Sequence, residues 1–270
     1  MQGAIQQVHL QSDNGDTLTS IISSLTPDDK STWNKNIELI VLRNGGFPSV
    51  DVSDFFVRSS LSKLRFLNLS GNFRFSSWDP LASRTTLLIT LSLGILKFPP
   101  SPTPTPVTPQ LLSILSSNPN LRELGLSDAA LPSNTDGSTL QVPLRNLEAL
   151  SLSGNSRRLF GLLHRLTLPG TLNKTHLTGF DSTVEDILRT LVSYMQDYFP
   201  RDVRFQGPLG ISSLFSPSSI SISVNALCGR PPDMAQEPPF ATFTTLMADL
   251  PPSETLGQLF VNVIASTHTP

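Results

Sequence analysis

The sequence predicts an α/β fold in which short parallel strands alternate with helices, and three observations support this prediction. Residues 64–72 (LRFLNLSGN) and 147–155 (LEALSLSGN) share the frame L-x-x-L-x-L-x-x-N. Looser copies of the frame recur, with their third aliphatic residue at positions 10, 42, 69, 93, 126, 152 and 168. The segments between the copies carry helix signals. This pattern is typical of a leucine-rich repeat, so we expect a curved, horseshoe-shaped solenoid with a parallel concave sheet and helices on the convex side.

The aliphatic residues of the frame should form the core, because each repeat can bury its apolar side only against its neighbours. The steps between third aliphatics are 32, 27, 24, 33, 26 and 16 residues, against a usual period of about 20–29. Asn72, which ends the first full frame, is expected to turn the chain out of its strand. The aliphatic triplets are Ile5/Val8/Leu10, Ile37/Ile40/Leu42, Leu64/Leu67/Leu69, Leu88/Leu91/Leu93, Leu121/Leu124/Leu126, Leu147/Leu150/Leu152 and Leu163/Leu166/Leu168.

The spacers predict helices at residues 17–25, 54–63, 108–118, 156–163 and 182–199. In the first, Leu18, Ile21, Ile22 and Leu25 should share one face. In the third, Thr108 acts as the cap, Pro109 takes the first helical position, and Asn118-Pro119 stops the helix. In the last, Ser182 and Glu185 form a capping box. Strands that alternate with helices indicate a parallel sheet.

The distribution of prolines predicts how the chain is divided into domains. Residues 99–109 contain six prolines in eleven residues, which excludes a helix or a central strand and predicts an exposed loop inserted into one repeat. An alternative is a ligand for a proline-binding module or a substrate for proline-directed kinases. After Pro200 the repeat is hard to follow. We therefore expect a solenoid over 1–200 and an irregular continuation over 201–270, with a weak strand at 218–224 and a capping strand near 258–263.

Composition argues against several classes of partner. Charged residues are 15% of the chain and the net charge is −2, whereas nucleic acids and anionic membranes select a basic surface. Cys228 is the single cysteine, so no disulfide framework or multi-cysteine metal site is expected. The sequence shows no signal peptide and no apolar run of about 18 residues. We expect an intracellular protein of the cytoplasm or nucleus.

Motifs that carry chemistry are missing from the sequence. Neither a phosphate-binding loop nor a G-x-S-x-G elbow occurs, and the four histidines show no metal-ligand spacing. We therefore expect no catalytic, cofactor-binding or metal site, and a protein that is not an enzyme. Two alternatives stay open: an enzyme with a site in the C-terminal loops at 200–240, and a purely structural repeat remnant.

The residues that flank the second and third aliphatics should point out of the concave sheet, because side chains alternate along a strand. Leu39, Val41 and Phe66 give this surface an apolar end. A surface of this kind suits recognition of a protein more than of a phosphate or a metal. The candidate partner-binding residues are Leu39, Val41, Arg43, Phe66, Asn68, Ser70, Thr90, Ser92, Glu123, Ser127, Ser151 and Arg165.

A family resemblance runs over about residues 110–225. It is carried by 118–134 (NPNLRELGLSDAALPSN), 142–172 (VPLRNLEALSLSGNSRRLFGLLHRLTLPGTL) and 181–202 (DSTVEDILRTLVSYMQDYFPRD). These segments resemble the leucine-rich region of F-box-type proteins from mushroom-forming fungi. The resemblance implies an adaptor whose repeats hold a protein client while an F-box docks a cullin–RING ubiquitin ligase. A repeat strand begins at Ile5, so we expect no F-box within this chain and a ligase link only if an F-box lies upstream.

Overall fold

The computed structural model describes residues 6–26, 36–75, 77–95, 108–127, 130–131, 141–169, 172, 174–180, 209–216, 219–226 and 241–246. The chain divides into two compact units. The first comprises Met1–Ala149 with Gly161–Pro169, and the second comprises Leu150–Phe160 with Gly170–Pro270. The boundary predicted near residue 200 lies outside the described residues and stays a prediction. So do the helix at 182–199, the strand near 258–263 and all but the last two residues of the proline-rich segment 99–109.

The described elements alternate between short strands and helices, which confirms the predicted α/β class. In chain order they are β1 (Gln7–Ser12), α1 (Gly15–Leu25), β2 (Leu39–Asn44), β3 (Val50–Asp51), α2 (Ser53–Arg58), β4 (Phe66–Gly71), β5 (Phe73–Arg74), α3 (Asp79–Arg84), β6 (Thr90–Ile95), α4 (Thr108–Ser116), β7 (Glu123–Ser127), β8 (Val142–Pro143), β9 (Ala149–Asn155), α5 (Ser156–Leu163), β10 (Leu166–Thr167), β11 (Lys174–Phe180), β12 (Leu209–Ser216), β13 (Ser219–Ala226) and β14 (Ala241–Leu246).

In the first unit, β1, β2, β4, β6 and β7 lie side by side in that order and run parallel. The register follows the sequence frame, since the second and third aliphatics of each copy stand opposite those of the next. The aligned sets are Val8, Ile40, Leu67, Leu91 and Leu124, and then Leu10, Leu42, Leu69, Leu93 and Leu126. Except for the partly exposed Leu10, these residues are buried. The repeat frame therefore sets both the pairing and the core.

The same backbone pattern starts each successive pairing. A carbonyl just before one strand accepts hydrogen bonds from two consecutive amides of the next strand. Glu38 O, for example, accepts from Arg65 N at 2.8 Å and from Phe66 N at 3.0 Å. Arg122 O accepts in the same way from Glu148 N at 2.7 Å and Ala149 N at 2.9 Å. The repeat is thus visible in the hydrogen bonds as well as in the leucines.

The shared tripeptide Ser-Gly-Asn ends both full frames with a glycine at positive φ. Gly71 has a φ of 106° and Gly154 has a φ of 149°, a region that glycine occupies readily and other residues avoid. The backbone of Asn72 then makes the turn, because its N–H donates to Asn44 O at 3.0 Å and its carbonyl accepts from Val50 N at 3.0 Å. The chain is thus held at the end of β4 by the backbone groups of Asn72. The glycine makes this turn possible.

Replacing Gly71 by alanine should lower the free energy of unfolding by about 2 kcal/mol or more, since a strained backbone costs about 1–3 kcal/mol. A Cβ would also stand 1.9 Å from the carbonyl oxygen of Asn44, which belongs to the backbone and cannot move aside alone. Gly94→Ala is the matched control, because the nearest atom to its Cβ would be Ser70 Cβ at 3.5 Å, an ordinary contact. Urea unfolding compares the two variants, and equal losses would contradict this account of Gly71.

Three of the predicted helices in the first unit form with altered limits. α1 begins at Gly15 because the Asn14 side chain accepts from Asp16 N at 2.9 Å and Thr17 N at 3.1 Å. Ile21, expected to share the apolar face with Leu18 and Ile22, is 39% exposed, because it lies at the edge of the stripe formed by Gly15, Leu18 and Ile22. α2 and α4 are shorter than predicted, and Thr108 lies inside α4 rather than capping it.

Next to these helices is an aromatic cluster, which together with α3 was not predicted. Trp78 stacks on Phe75 with ring centroids 4.8 Å apart, and Phe75 stacks on Phe56 at 5.6 Å. Phe55 meets Phe56 edge to face at 5.6 Å. All four rings are buried. The core of the first unit is therefore partly aromatic, although the repeat frame contains only aliphatic positions.

The frame Leu163/Leu166/Leu168 was predicted to form a strand beside those of the other frames, and this prediction was wrong. The strands of the other frames belong to one ten-stranded sheet, here called the main sheet. β10 pairs in parallel with β8 in a separate small sheet, with Leu166 opposite Val142. The strand that follows β9 in the main sheet order is β11. Its frame is Leu172, Thr175 and Leu177, all buried. The threonine in the second aliphatic position hid this copy, and the step from Leu152 to Leu177 is an ordinary 25 residues.

In the second unit the strand order is β9, β11, β14, β13, β12. β14 runs parallel to β11, whereas β13 and β12 continue as antiparallel neighbours. The weak strand predicted at 218–224 is confirmed as β13, but the expectation of irregular structure in the rest of 201–270 was wrong for β12 and β14. None of the prolines behind that expectation falls inside these strands. The prolines therefore exclude regular strands only in the segments between β12, β13 and β14.

Candidate functional site

The outward face consists of the residues of β1, β2, β4, β6 and β7 that alternate with the buried aliphatics. The strand register aligns them into rows that cross the strands. None of them is buried. The rows are Gln7, Leu39, Phe66, Thr90 and Glu123; His9, Val41, Asn68, Ser92 and Gly125; and Gln11, Arg43, Ser70 and Gly94, with Ser127 at the end of β7.

The apolar patch of this face consists of Leu39, Val41 and Phe66. Leu39 and Phe66 stand opposite each other on neighbouring strands, a separation of about 4.8 Å between strands. Val41 is the next outward residue of β2, about 6.6 Å further along. Phe66 is 36% exposed. The Arg65 guanidinium carbon lies 6.0 Å from the centroid of the Phe66 ring, so a cation borders the patch.

The polar end of the face carries the carboxylate of Glu123, which accepts one side-chain hydrogen bond. Thr90 Oγ1 donates to Glu123 Oε2 at 3.2 Å. Beside that row, Arg122 and Glu148 form an ion pair at 3.4 Å. Between this end and the apolar patch lie small residues, of which Gly125 is close-packed: a Cβ there would stand 3.3 Å from Ser92 Oγ. The face therefore has polar residues on the edge strand β1, an apolar patch on β2 and β4, a region of small residues, and a polar end at Thr90 and Glu123.

Arg43 differs from these paired groups. It is exposed, two residues along β2 from Val41. Among the described residues, no hydrogen bond or ion pair of its guanidinium is found. The side chain thus extends into solvent beside the apolar patch with its five donors available.

The two remaining candidates do not belong to the outward face. Ser151 lies on β9 in the second unit, where it is exposed. Arg165 precedes β10 in the small sheet, and its carbonyl accepts from Val142 N at 2.8 Å. Its inclusion was wrong, because it followed from the misassigned frame at Leu163. Sequence reasoning instead missed β11, on which Nε2 of the exposed His176 and Oγ1 of the partly exposed Thr178 lie 3.1 Å apart.

The described residues show no arrangement suited to metal chemistry. No group of three or more His, Cys, Asp or Glu side chains comes together within them. Of the C-terminal loops at 200–240 that the enzyme alternative requires, only the strands β12 and β13 are described. Within the same limits, no helix is both long and apolar enough to cross a bilayer.

The outward face is thus a surface of aligned, solvent-facing side chains with one apolar patch. Comparisons with protein-family models, with curated proteins and with solved structures found no match for this chain. The geometry of the outward face and the sequence resemblance are therefore the grounds on which a function can be assigned.

Proposed function

We propose that the chain is a leucine-rich-repeat solenoid that binds a protein client through its outward face and catalyses no reaction. The in-register parallel strands of the first unit, each built on one copy of the frame, support the solenoid. The single observation that carries the binding proposal is the apolar patch. Leu39, Val41 and Phe66 occupy positions on the solvent side of the sheet, where polar residues are usual.

A protein partner fits this patch better than a small molecule. The patch lies on a sheet surface and is bordered by Arg65 and Arg43. Apolar side chains surrounded by polar and charged residues are the common arrangement of protein interfaces. Covering three partly exposed apolar side chains would contribute about 1–2 kcal/mol each, as part of the usual gain from apolar burial. An aromatic residue near the middle of such a patch is a typical binding hot spot.

The client-binding role extends to the ubiquitin system only through the resemblance to F-box-type proteins. On that proposal the chain supplies client recognition, and an F-box elsewhere in the gene product binds the cullin–RING core. An in-frame F-box upstream of Met1 would support this role. Its absence from the gene would contradict the ligase link for this product and leave the binding proposal unchanged.

Val41→Asp should abolish capture of the client, because it places an unpaired carboxylate within the apolar patch. Phe66→Ala should weaken capture about tenfold or more, as expected when a hot-spot aromatic is truncated. The measurement is affinity capture with the purified chain as bait, followed by titration of the captured protein against each variant.

The matched controls place the same changes elsewhere on the first unit. Val57 on α2 is 44% exposed and Phe47 after β2 is 62% exposed. Val57→Asp and Phe47→Ala should therefore bind like the parent chain, and circular dichroism should show all four variants folded. If the same partners bind Val41→Asp and Phe66→Ala with unchanged affinity, the outward face is not the binding surface.

A further inference from the structure

We propose that the segment bound by the outward face is an extended acidic peptide. In it, one apolar side chain rests on the apolar patch and a carboxylate two residues away is held by Arg43. This inference rests on the proposed function and adds the chemistry of the partner. It is carried by the unengaged guanidinium of Arg43, by the charges around it and by the spacing along β2.

Two other arginines of the first unit are engaged by polar groups. Arg122 pairs with Glu148 at 3.4 Å, and the Arg84 guanidinium donates to the carbonyl of Val57. The Arg43 guanidinium has no such partner within the described part of the chain. A planar guanidinium presents its donors in a fork that matches a carboxylate. A guanidinium beside an apolar surface can therefore bind an acidic group in a defined orientation.

No acidic side chain of the described residues forms an ion pair with Arg43. The outward positions of β1, β2 and β4 hold no acidic residue. Glu38 lies at the opposite end of β2, about 16 Å away at the rise of an extended strand, and its carbonyl accepts a hydrogen bond from Arg65 N at 2.8 Å. Asp13, past the end of β1, lies against Gly45 and forms no ion pair with Arg43 in the described structure. The favourable place for a partner carboxylate is therefore Arg43.

The distance between Val41 and Arg43 along β2 determines how far apart the two contacting side chains of the peptide must be. Val41 and Arg43 are successive outward residues of one strand, about 6.6 Å apart. An extended peptide repeats with the same interval, so side chains two residues apart point at the sheet together. An apolar residue and an acidic residue separated by one intervening residue can therefore reach the patch and Arg43 at once. Which of the two comes first depends on the direction of the peptide relative to β2.

The test is selection of binders from a random heptapeptide library displayed on phage, with purified chain as the target. Peptides enriched on the parent chain should pair an aromatic or aliphatic residue with Asp or Glu two residues away. Arg43→Glu should shift that second position to Lys or Arg, because the charge of the site is reversed. Synthetic acidic peptides should bind Arg43→Glu about tenfold more weakly, as expected for the loss of a hydrogen bond to a charged group.

Arg145→Glu is the charge-matched control, since Arg145 is exposed in the turn after β8. It should select the same acidic peptides as the parent chain. If the enriched peptides lose binding in Val41→Asp but show no acidic preference, this inference is overturned and the proposed function stands. If their binding survives Val41→Asp, the outward face is not the binding surface, and both this inference and the proposed function are overturned. A selection that enriches nothing on the parent chain overturns this inference as well.

Discussion

Trp78→Ala should lower the free energy of unfolding by about 3–5 kcal/mol, the usual loss for a fully buried large aromatic. Trp78 is 1% exposed and stacks on Phe75, which stacks in turn on Phe56. Removing the indole takes away dispersion contacts with both the neighbouring ring and the aliphatic core, and it leaves a cavity that the rigid neighbours can close only in part. Urea unfolding followed by far-ultraviolet circular dichroism measures the loss.

Phe66→Ala is the control for this prediction. Phe66 is an aromatic residue of the same unit but lies on the outward face, so its loss should cost less than about 1 kcal/mol, as for most surface changes. A Trp78→Ala variant as stable as Phe66→Ala would contradict the role assigned to the aromatic cluster. The comparison also shows that a binding defect of Phe66→Ala does not come from unfolding.

Asn118→Ala should lower the free energy of unfolding by about 3 kcal/mol or more, because each buried polar group left without a partner costs about 1–3 kcal/mol. Asn118 is buried just after α4. Its Nδ2 donates to Ile114 O at 2.7 Å and to Thr85 O at 3.0 Å, and its Oδ1 accepts from Leu88 N at 2.9 Å. One side chain therefore joins the end of α4, the end of α3 and the segment that enters β6.

Asn118→Asp distinguishes the bond that the side chain accepts from the bonds that it donates. The carboxylate keeps an acceptor for Leu88 N but loses the donors to the carbonyls of Thr85 and Ile114. Asn146→Ala is the matched control, because the exposed Asn146 donates one bond, to Pro119 O at 3.0 Å. It should cost less than about 1 kcal/mol. Equal losses for Asn118→Ala and Asn146→Ala in urea unfolding would contradict the bridging role of Asn118.

The sequence predicted the sheet of the first unit well because its signal is local. A strand of this sheet needs aliphatics at fixed positions, and the register of Val8, Ile40, Leu67, Leu91 and Leu124 follows those positions directly. Side chains alternate along each strand, so the outward positions were predicted by the same count. The proposal of an outward face therefore required no tertiary information beyond parallel pairing.

Features that depend on distant contacts could not be predicted in this way. Trp78 is part of the core because Phe75 and Phe56 meet it in space, and no frame position indicates this. Thr175 occupies an aliphatic position in β11, so a frame restricted to aliphatics passed over that strand. Arg165 was misplaced because the leucines around it fit the frame, whereas the strand that follows it, β10, pairs with β8.

The chemistry of the candidate site was predicted only at the level of residue type. Glu123 and Arg43 are both charged outward residues in the sequence. In the structure the Glu123 carboxylate accepts from Thr90, whereas Arg43 is exposed and has no hydrogen bond or ion pair among the described residues. This difference depends on which side chains the register brings together.

The most direct test of client binding by the outward face is methyl nuclear magnetic resonance of the labelled chain during titration with the captured client. The methyl signals of Leu39 and Val41 should shift or broaden. Those of Ile21, Val57 and Leu87, which are exposed elsewhere on the first unit, should stay in place. Shifts confined to Ile21, Val57 or Leu87, with Leu39 and Val41 unchanged, would contradict binding through the outward face.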